Sequence, residues 1–482
     1  MGAEGASPDA WPDAATQSSP PIRTVGHCDA AGAVGVRRFS MVHFNDLQAR
    51  YGEMIAGKSR YAYIAGYLRA QKAENPATLV LDAGDDYEKG SVAEVRSLGE
   101  TTRQMIQALP IDVRTIGNHD FAYGESALLR DVTMSAHPVL AANLRRGEGD
   151  GAPFLPFVRI DVGCVKVGIV GLTTRGYGAD DEQDHDPYYG IWNQDDSYLS
   201  FLYEQHRLHR DEVDVLIALT HIGQTLDTDL AKSHWGYDFV IGGHSEDMLG
   251  DLEASRQKDK THAYVMQMGH FGRYLGRADV AVYPDGRVTL ERYNVVTVDQ
   301  SLPVADDVHE LAVRLEKQAA PDAHLPIATV KDDLGSGKDM VDLVMRAAAD
   351  RWGADGLVLG TDVFFDGLRA GPLTLQRLYD SVMIQREPAG TTGYSSLYIA
   401  SLTGAEVAAL RSSTHGSFVV DAPDDLAPGK SYRIAIEKRA MTYPGLAFSS
   451  PPAKIGPGHF AGEILDVLEA YARARSAKGL TL

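Results

Sequence analysis

Cysteine is nearly missing from this chain of 482 residues, which has only Cys28 and Cys164. One falls in an expected tail and the other in an expected strand, so no disulfide framework is implied. Positive charge is also scarce. Lys and Arg number 46 against 66 Asp and Glu, a formal net charge of −20. With no basic block anywhere, this excludes a nucleic-acid polymer as partner, because phosphate backbones need clustered cations. A small anionic substrate would need local help from a metal or a helix N-terminus. Long hydrophobic runs are absent too. No window reaches the roughly 18 apolar residues of a membrane span, so no membrane partner is expected. Residues 1–37 are rich in Ala, Pro, Gly and Ser and lack the apolar core of a secretory signal. They read as a mobile tail, and the protein as cytoplasmic. No internal repeat occurs.

What is present is 44% hydrophobic and too long for one simple core, which argues for two domains. Order begins with the apolar stretch from Arg38 to Phe44, which ends in Asn45-Asp46-Leu47-Gln48. A helical stripe of Tyr61, Ile64, Ala65 and Leu68 follows, then Thr78 to Ala83 closing in Gly84-Asp85-Asp86. A helix from about Thr101 to Leu109 leads to Ile111 to Ile116, which stops in Gly117-Asn118-His119-Asp120. Further strands are expected at Val139 to Leu144, Val165 to Leu172, Val213 to Leu219 before Thr220-His221, and Phe239 to Ile241 before Gly242-Gly243-His244-Ser245-Glu246. Strands alternating with helices indicate an α/β layered domain. Three more strands, Ala263 to Gln267, Gly276 to Val282 and Val288 to Val298, follow it, and Pro284-Asp285-Gly286 turns the last pair. A helix over Asp306 to Gln318 links this domain to an α+β remainder from about Leu325.

The strand ends carry the chemistry. They supply Asp46, Asp85, Asn118, His119, His221 and His244. Taken singly, a strand-end Asp is usually a cap and a Gly-Gly-His turn only a turn. Jointly, carboxylate, amide oxygen and imidazole are the donors of a divalent ion with mixed O and N ligands, and α/β enzymes keep their sites at such ends.

The pieces His43 to Asp46, Gly84-Asp85, Gly117 to Gly124, Thr220 to Gly223 and Gly242 to Ser245 resemble the calcineurin-like metallophosphoesterases, specifically the two-domain 5′-nucleotidase and sugar-nucleotide hydrolase family. The resemblance implies a four-layered α/β metallophosphatase domain over 38–300, a linker helix over 301–324 and a smaller α+β C-terminal substrate domain over 325–482. It also implies hydrolysis of a small organic phosphate ester, a nucleotide or modified nucleotide. Asp85 would bridge two metals, Asn118, His221 and His244 would complete one site, and Asp46 would belong to the other. His119 would assist the phosphoryl group or the leaving oxygen, with Asp120 orienting it.

Two positions depart from that pattern. Gln48 stands where the family has His two residues after Asp46, and Glu246 where it has His two residues after His244. Three readings stay open. Gln48 and Glu246 coordinate through oxygen, favouring Mn²⁺, Mg²⁺ or Fe²⁺ over Zn²⁺; the altered site is weak or empty, leaving one metal per chain instead of two or a metal brought in by substrate; or the domain is an inactive nucleotide- or metal-binding module. His43 reads as a buried group behind the site, and His270 as a candidate replacement ligand. In the C-terminal domain, Arg369 and Gly371 to Thr374 match the family, while Gly360 to Asp362 do not keep its Asn-Gly-Gly anchor. Phe364, Tyr394, Tyr443 and Phe448 are the candidate stacking rings for a base. The oligomeric state is not legible.

Overall fold

The computed structural model describes residues 23–29, 35–88, 91–146, 154–174, 192–194, 198–233, 235–249, 262–382, 396–442, 444–450, 455 and 458–482. They form two compact units. One comprises 1–87 and 98–314, the other 88–97 and 315–482.

The first unit is built on two sheets. Six strands run in the order Val288–Thr297, Tyr274–Val282, Arg37–Phe44, Thr78–Asp82, Val113–Thr115 and Val139–Leu140. Seven run in the order Arg23–Val25, Phe157–Val162, Val165–Thr173, Val215–His221, Phe239–Ile241, Tyr264–Met268 and Met248–Leu249. Side chains alternate across a strand, and here both faces are apolar. Val167, Ile169, Val215 and Ile217 pack with Phe39, Met41, Leu79 and Leu81 of the other sheet. The alternate residues Val170, Leu172, Leu216 and Ala218 pack outward with Leu230 and Ala231 of the helix Gln224–Lys232. Each such buried aliphatic side chain contributes roughly 1.5–3 kcal/mol. This is the expected layered α/β architecture with two central sheets.

Parallel pairing aligns the strand ends. Arg37–Phe44 pairs in parallel with Thr78–Asp82, that strand with Val113–Thr115, and Val215–His221 with Phe239–Ile241. The loops after all five strands therefore leave their sheets at C-terminal edges, where the sequence put its polar residues.

Three expectations need correction. Residues 23–37 are not all tail: Arg23–Val25 adds a parallel edge strand beside Phe157–Val162, and Cys28 forms a disulfide with Cys164 across a sequence separation of 136 residues. Sequence distance hid the bridge, because only the sheet brings the two cysteines to a Cα separation of 4.6 Å. Val139 to Leu144 is not one strand but two short ones, Val139–Leu140 and Leu144–Arg146. Residues 88–97 belong with the C-terminal unit, where Val92, Ala93 and Val95 join its core.

The second unit has a five-stranded sheet in the order Phe418–Asp421, Gly356–Gly360, Ser431–Glu437, Ser396–Thr403 and His459–Glu463, with the helices Lys338–Trp352 and Ile464–Ala477. It is α+β, as expected. Thr403 and Glu406 form a reciprocal capping box that starts the helix Gly404–Ser413. The linking helix is Asp306–Ala319, and the division between the units falls within it. Among the described residues no helix is long and apolar enough to cross a membrane.

Candidate metal centre

The parallel ladder continues past the strand ends and fixes the loops. The Asp46, Gln48 and Ala49 amides donate to the Gly84, Asp85 and Asp86 carbonyls at 2.8, 2.9 and 2.8 Å. Such close register demands unusual backbone. Asp46 (φ 52°), Gln48 (47°), Asp85 (61°), His244 (79°) and Glu246 (56°) all occupy the left-handed region, which costs a non-glycine residue on the order of 1–3 kcal/mol. Among the described residues, these are five of the ten non-glycine residues with such backbone. Glycine is required beside them: a Cβ on Gly117 would lie 2.1 Å from Asp85 Oδ1 and 2.6 Å from His221 Nε2.

One half of the centre is well defined. Ligand atoms of Asp85, His221 and His244 lie within 4.8 Å of one another. His221 Nδ1 lies 2.7 Å from the Ala83 carbonyl, to which it donates, so the ring's lone pair sits on Nε2. That Nε2 is buried, makes no hydrogen bond, and lies 3.0 Å from Asp85 Oδ2. Two lone-pair donors turned toward each other in a buried place are what a cation would join. Asn118 Oδ1 lies 2.8 Å from His244 Nδ1, completing the expected group.

Electrostatics agree. Burial resists ionisation of Asp85, but His221 and His119 hold its carboxyl below the usual carboxylate range. Burial disfavours a charged His221, yet Asp85 raises its pKa to about 10. The cluster thus demands positive charge, met by a proton when no cation is bound. The donors fit a divalent ion on these grounds.

His119 adjoins this half. Its amide donates to Asp85 Oδ1 at 2.8 Å, and its Nε2 is 3.9 Å from Asp85 Oδ2. Asp120 has a different contact set from the one expected of an orienting group for His119. Its carboxylate accepts the backbone amides of Asp85, Asp86 and Gly117 at 2.9, 3.2 and 2.6 Å. It ties the Asp85 turn to the His119 turn.

The other half holds Asp46, Gln48 and Glu246. Asp46 Oδ2 accepts from Asn45 Nδ2 at 2.7 Å and from the His244 amide at 3.2 Å. Burial pushes the Asp46 carboxyl up to about 8; His221 opposes this and Asp85 adds to it. Gln48 Nε2 donates to Glu246 Oε1 at 2.9 Å, and Glu246 Oε2 lies 2.9 Å from His270 Nδ1. His43 is fully buried with its Nε2 2.9 Å from the Tyr293 hydroxyl, behind the site as expected.

Sequence reasoning missed two supports. Asn45 holds Asp46 and reaches the Gly269 carbonyl at 2.7 Å. Arg114, fully buried, pairs with Asp131 and lies 3.2 Å from Asp86. An arginine inside the apolar run Ile111 to Ile116 was the available signal for the second.

The candidate substrate residues are less united. Arg369 is exposed. Phe364 (6% exposed) and Phe448 (1%) are core side chains, so neither presents a free face to a base. Both pack within apolar clusters that the sequence pattern did not separate from exposed rings. Tyr394 and Tyr443 lie outside the described residues.

Fold and site together define a metallophosphatase-type α/β protein. Residues 39–246 match the family model described as calcineurin-like phosphoesterase. Over those residues the chain is similar to calcineurin-like phosphoesterases, and its relatives and structural neighbours include 5′-nucleotidases. It is 28% identical over 329 residues to a snake venom 5′-nucleotidase of Crotalus adamanteus, covering 60% of this chain and 54% of that one. The chain thus spans about half the length of the curated relatives it matches. By structure it resembles a 5′-nucleotidase precursor of Thermus thermophilus, with a TM-score of 0.69, 17% identity and coverage of 91% and 96%. It also resembles the sulfate thiohydrolase SoxB of the same organism, with a TM-score of 0.67, 19% identity and coverage of 90% and 94%. At these identities the structural likeness concerns the fold.

Proposed function

We propose that the protein is a metal-dependent phosphoesterase that hydrolyses a small organic phosphate ester of the nucleotide or modified-nucleotide class. The observation that carries this reading is the convergence of Asp85, His221 and His244, with Asn118, beside His119. Bound divalent cations would screen phosphate charge and make a water more acidic. His221 and His244 would present imidazole nitrogens, Asn118 an amide oxygen and Asp85 a carboxylate. His119 would hold a proton near the leaving oxygen or stabilise charge on the phosphoryl group. Asp120 would keep the Asp85 and His119 turns in register through the backbone. With a net charge of −20, the protein has few other means of holding an anion. The relatives' printed activity, 5′-nucleotidase, supports the nucleotide class.

The test is turnover of a panel of nucleoside monophosphates, sugar nucleotides and simple aryl phosphates after removal of metal and return of single divalent ions. Hydrolysis restored by an ion supports the reading; no turnover with any ion overturns it.

The tail composition favoured the cytoplasm, whereas the Cys28–Cys164 bridge is chemistry that persists in oxidising compartments. We infer an oxidising compartment. Two alkylatable thiols in protein isolated without reductant would return the assignment to the cytoplasm.

A further inference from the structure

Two oxygens in the rewritten half of the centre take no hydrogen bond among the described residues. Asp46 Oδ1 and Gln48 Oε1 are both buried and make no hydrogen bond, on residues that are 0% exposed. A buried acceptor left without a donor destabilises the fold, and two of them lie two residues apart on one strained loop. That loop is zipped onto the Asp85 turn, since the Gln48 amide donates to the Asp85 carbonyl at 2.9 Å. The orientation of the Gln48 amide is not free. Glu246 Oε1, an acceptor, takes Nε2 at 2.9 Å, so Oε1 must face the other way. His270 Nδ1 lies 2.9 Å from the second oxygen of Glu246 and makes no hydrogen bond there. His270 packs edge-on to Phe271, whose amide donates to the Asp46 carbonyl.

We propose that Gln48, through Oε1, and Asp46, through Oδ1, are cation ligands in this half, and that Glu246 is a positioning residue that fixes the Gln48 amide with its oxygen inward. With the Asp85 carboxylate, the donor set is all oxygen, which suits a hard divalent cation such as Mg²⁺ or Mn²⁺ better than Zn²⁺. The inference rests on the metal-dependent reading above.

Mn²⁺ stoichiometry and affinity, measured by metal analysis and calorimetric titration on the full chain, test it without reference to activity. The native protein binds two ions per chain, and Gln48→Leu binds one. Glu246→Ala weakens the second ion by about 10–100-fold, the usual effect of removing a ligand's holder. Glu246→Gln keeps an oxygen where Gln48 Nε2 needs one, so it loses less than about tenfold. Equal losses in Glu246→Gln and Glu246→Ala make Glu246 a ligand and overturn the assignment, as does a Gln48→Leu variant that still binds two ions. One ion in the native chain, with phosphoesterase activity intact, also overturns it while sparing the functional reading. No ion at all removes the functional reading itself. Glu246 is partly exposed, with 26% of its side-chain surface accessible, so its variants serve if Gln48→Leu fails to fold.

Discussion

The two halves of the centre share a scaffold and differ in chemistry. Around His221 the donors include imidazole nitrogens, and the demand for positive charge falls on a histidine whose second nitrogen is anchored to the Ala83 carbonyl. Around Asp46 a carboxylate and an amide oxygen, Asp46 Oδ1 and Gln48 Oε1, are buried without a hydrogen bond, and one imidazole nitrogen, His270 Nδ1, lies 2.9 Å from Glu246. The backbone barely distinguishes them, since Gln48 and Glu246 are left-handed like Asp46, Asp85 and His244. The lesson is that strained strand-end loops define where a cation can sit, while side chains choose which cation.

Breaking both halves at once should have the largest effect. Asp85→Ala removes the carboxylate that faces His221 and is held by the His119 amide. Metal content should fall at both positions and turnover by more than ~100-fold, since even an outer partner of a ligand is worth 10–100-fold. An Asp85→Ala protein that keeps either ion would separate the halves.

Next, His119→Ala should lower turnover by roughly 10²–10⁴-fold, the range of a lost acid–base group, with metal content unchanged. Loss of metal instead would place His119 among the supports of the His221 half.

Converting one half into the other is gentler. Gln48→His with Glu246→His should shift preference toward Zn²⁺ by about tenfold, because imidazole suits Zn²⁺. Competition binding reads this directly, and an unmoved preference would assign selectivity to the His221 half.

The smallest effect is in pH. For His221 the folded pKa, about 10, exceeds the unfolded 6.5, so its contribution is complete below pH 6.5 and is lost as pH rises toward 10. Asp46, raised from 3.8 to about 8, favours the protonated folded form in the same sense, over a lower window. The buried His43 and His137, both lowered to about 3, act in the opposite sense below pH 6.5. The melting temperature of metal-free protein should therefore fall as pH rises from 6.5 toward 10, and saturating Mn²⁺ should flatten the curve. A metal-free curve that rises between pH 6.5 and 10 would contradict the His221 assignment.

Much of the first unit was legible because its signals are local. Val165–Thr173 and Val215–His221 are apolar on both faces, as strands between layers must be, and each polar cluster follows its strand directly. Asp85, His221 and His244, which the fold brings together, could be read as a set for that reason. The second unit resisted. Phe364 and Phe448 have the composition of stacking rings, but their burial depends on which helices and strands cover them. The division of the chain was blurred likewise, since residues 88–97 join a core supplied mostly by residues more than 200 positions later.

By itself the sequence determined the α/β layering and the polar residues at the strand ends, since hydrophobic period and residue type act over a few neighbours. Only the tertiary structure decided that Cys28 meets Cys164, that Asp120 ties three backbone amides, and that Glu246 takes the Gln48 amide and leaves its oxygen free. Each of these depends on the direction of a side chain relative to residues distant in sequence, and direction is set by packing.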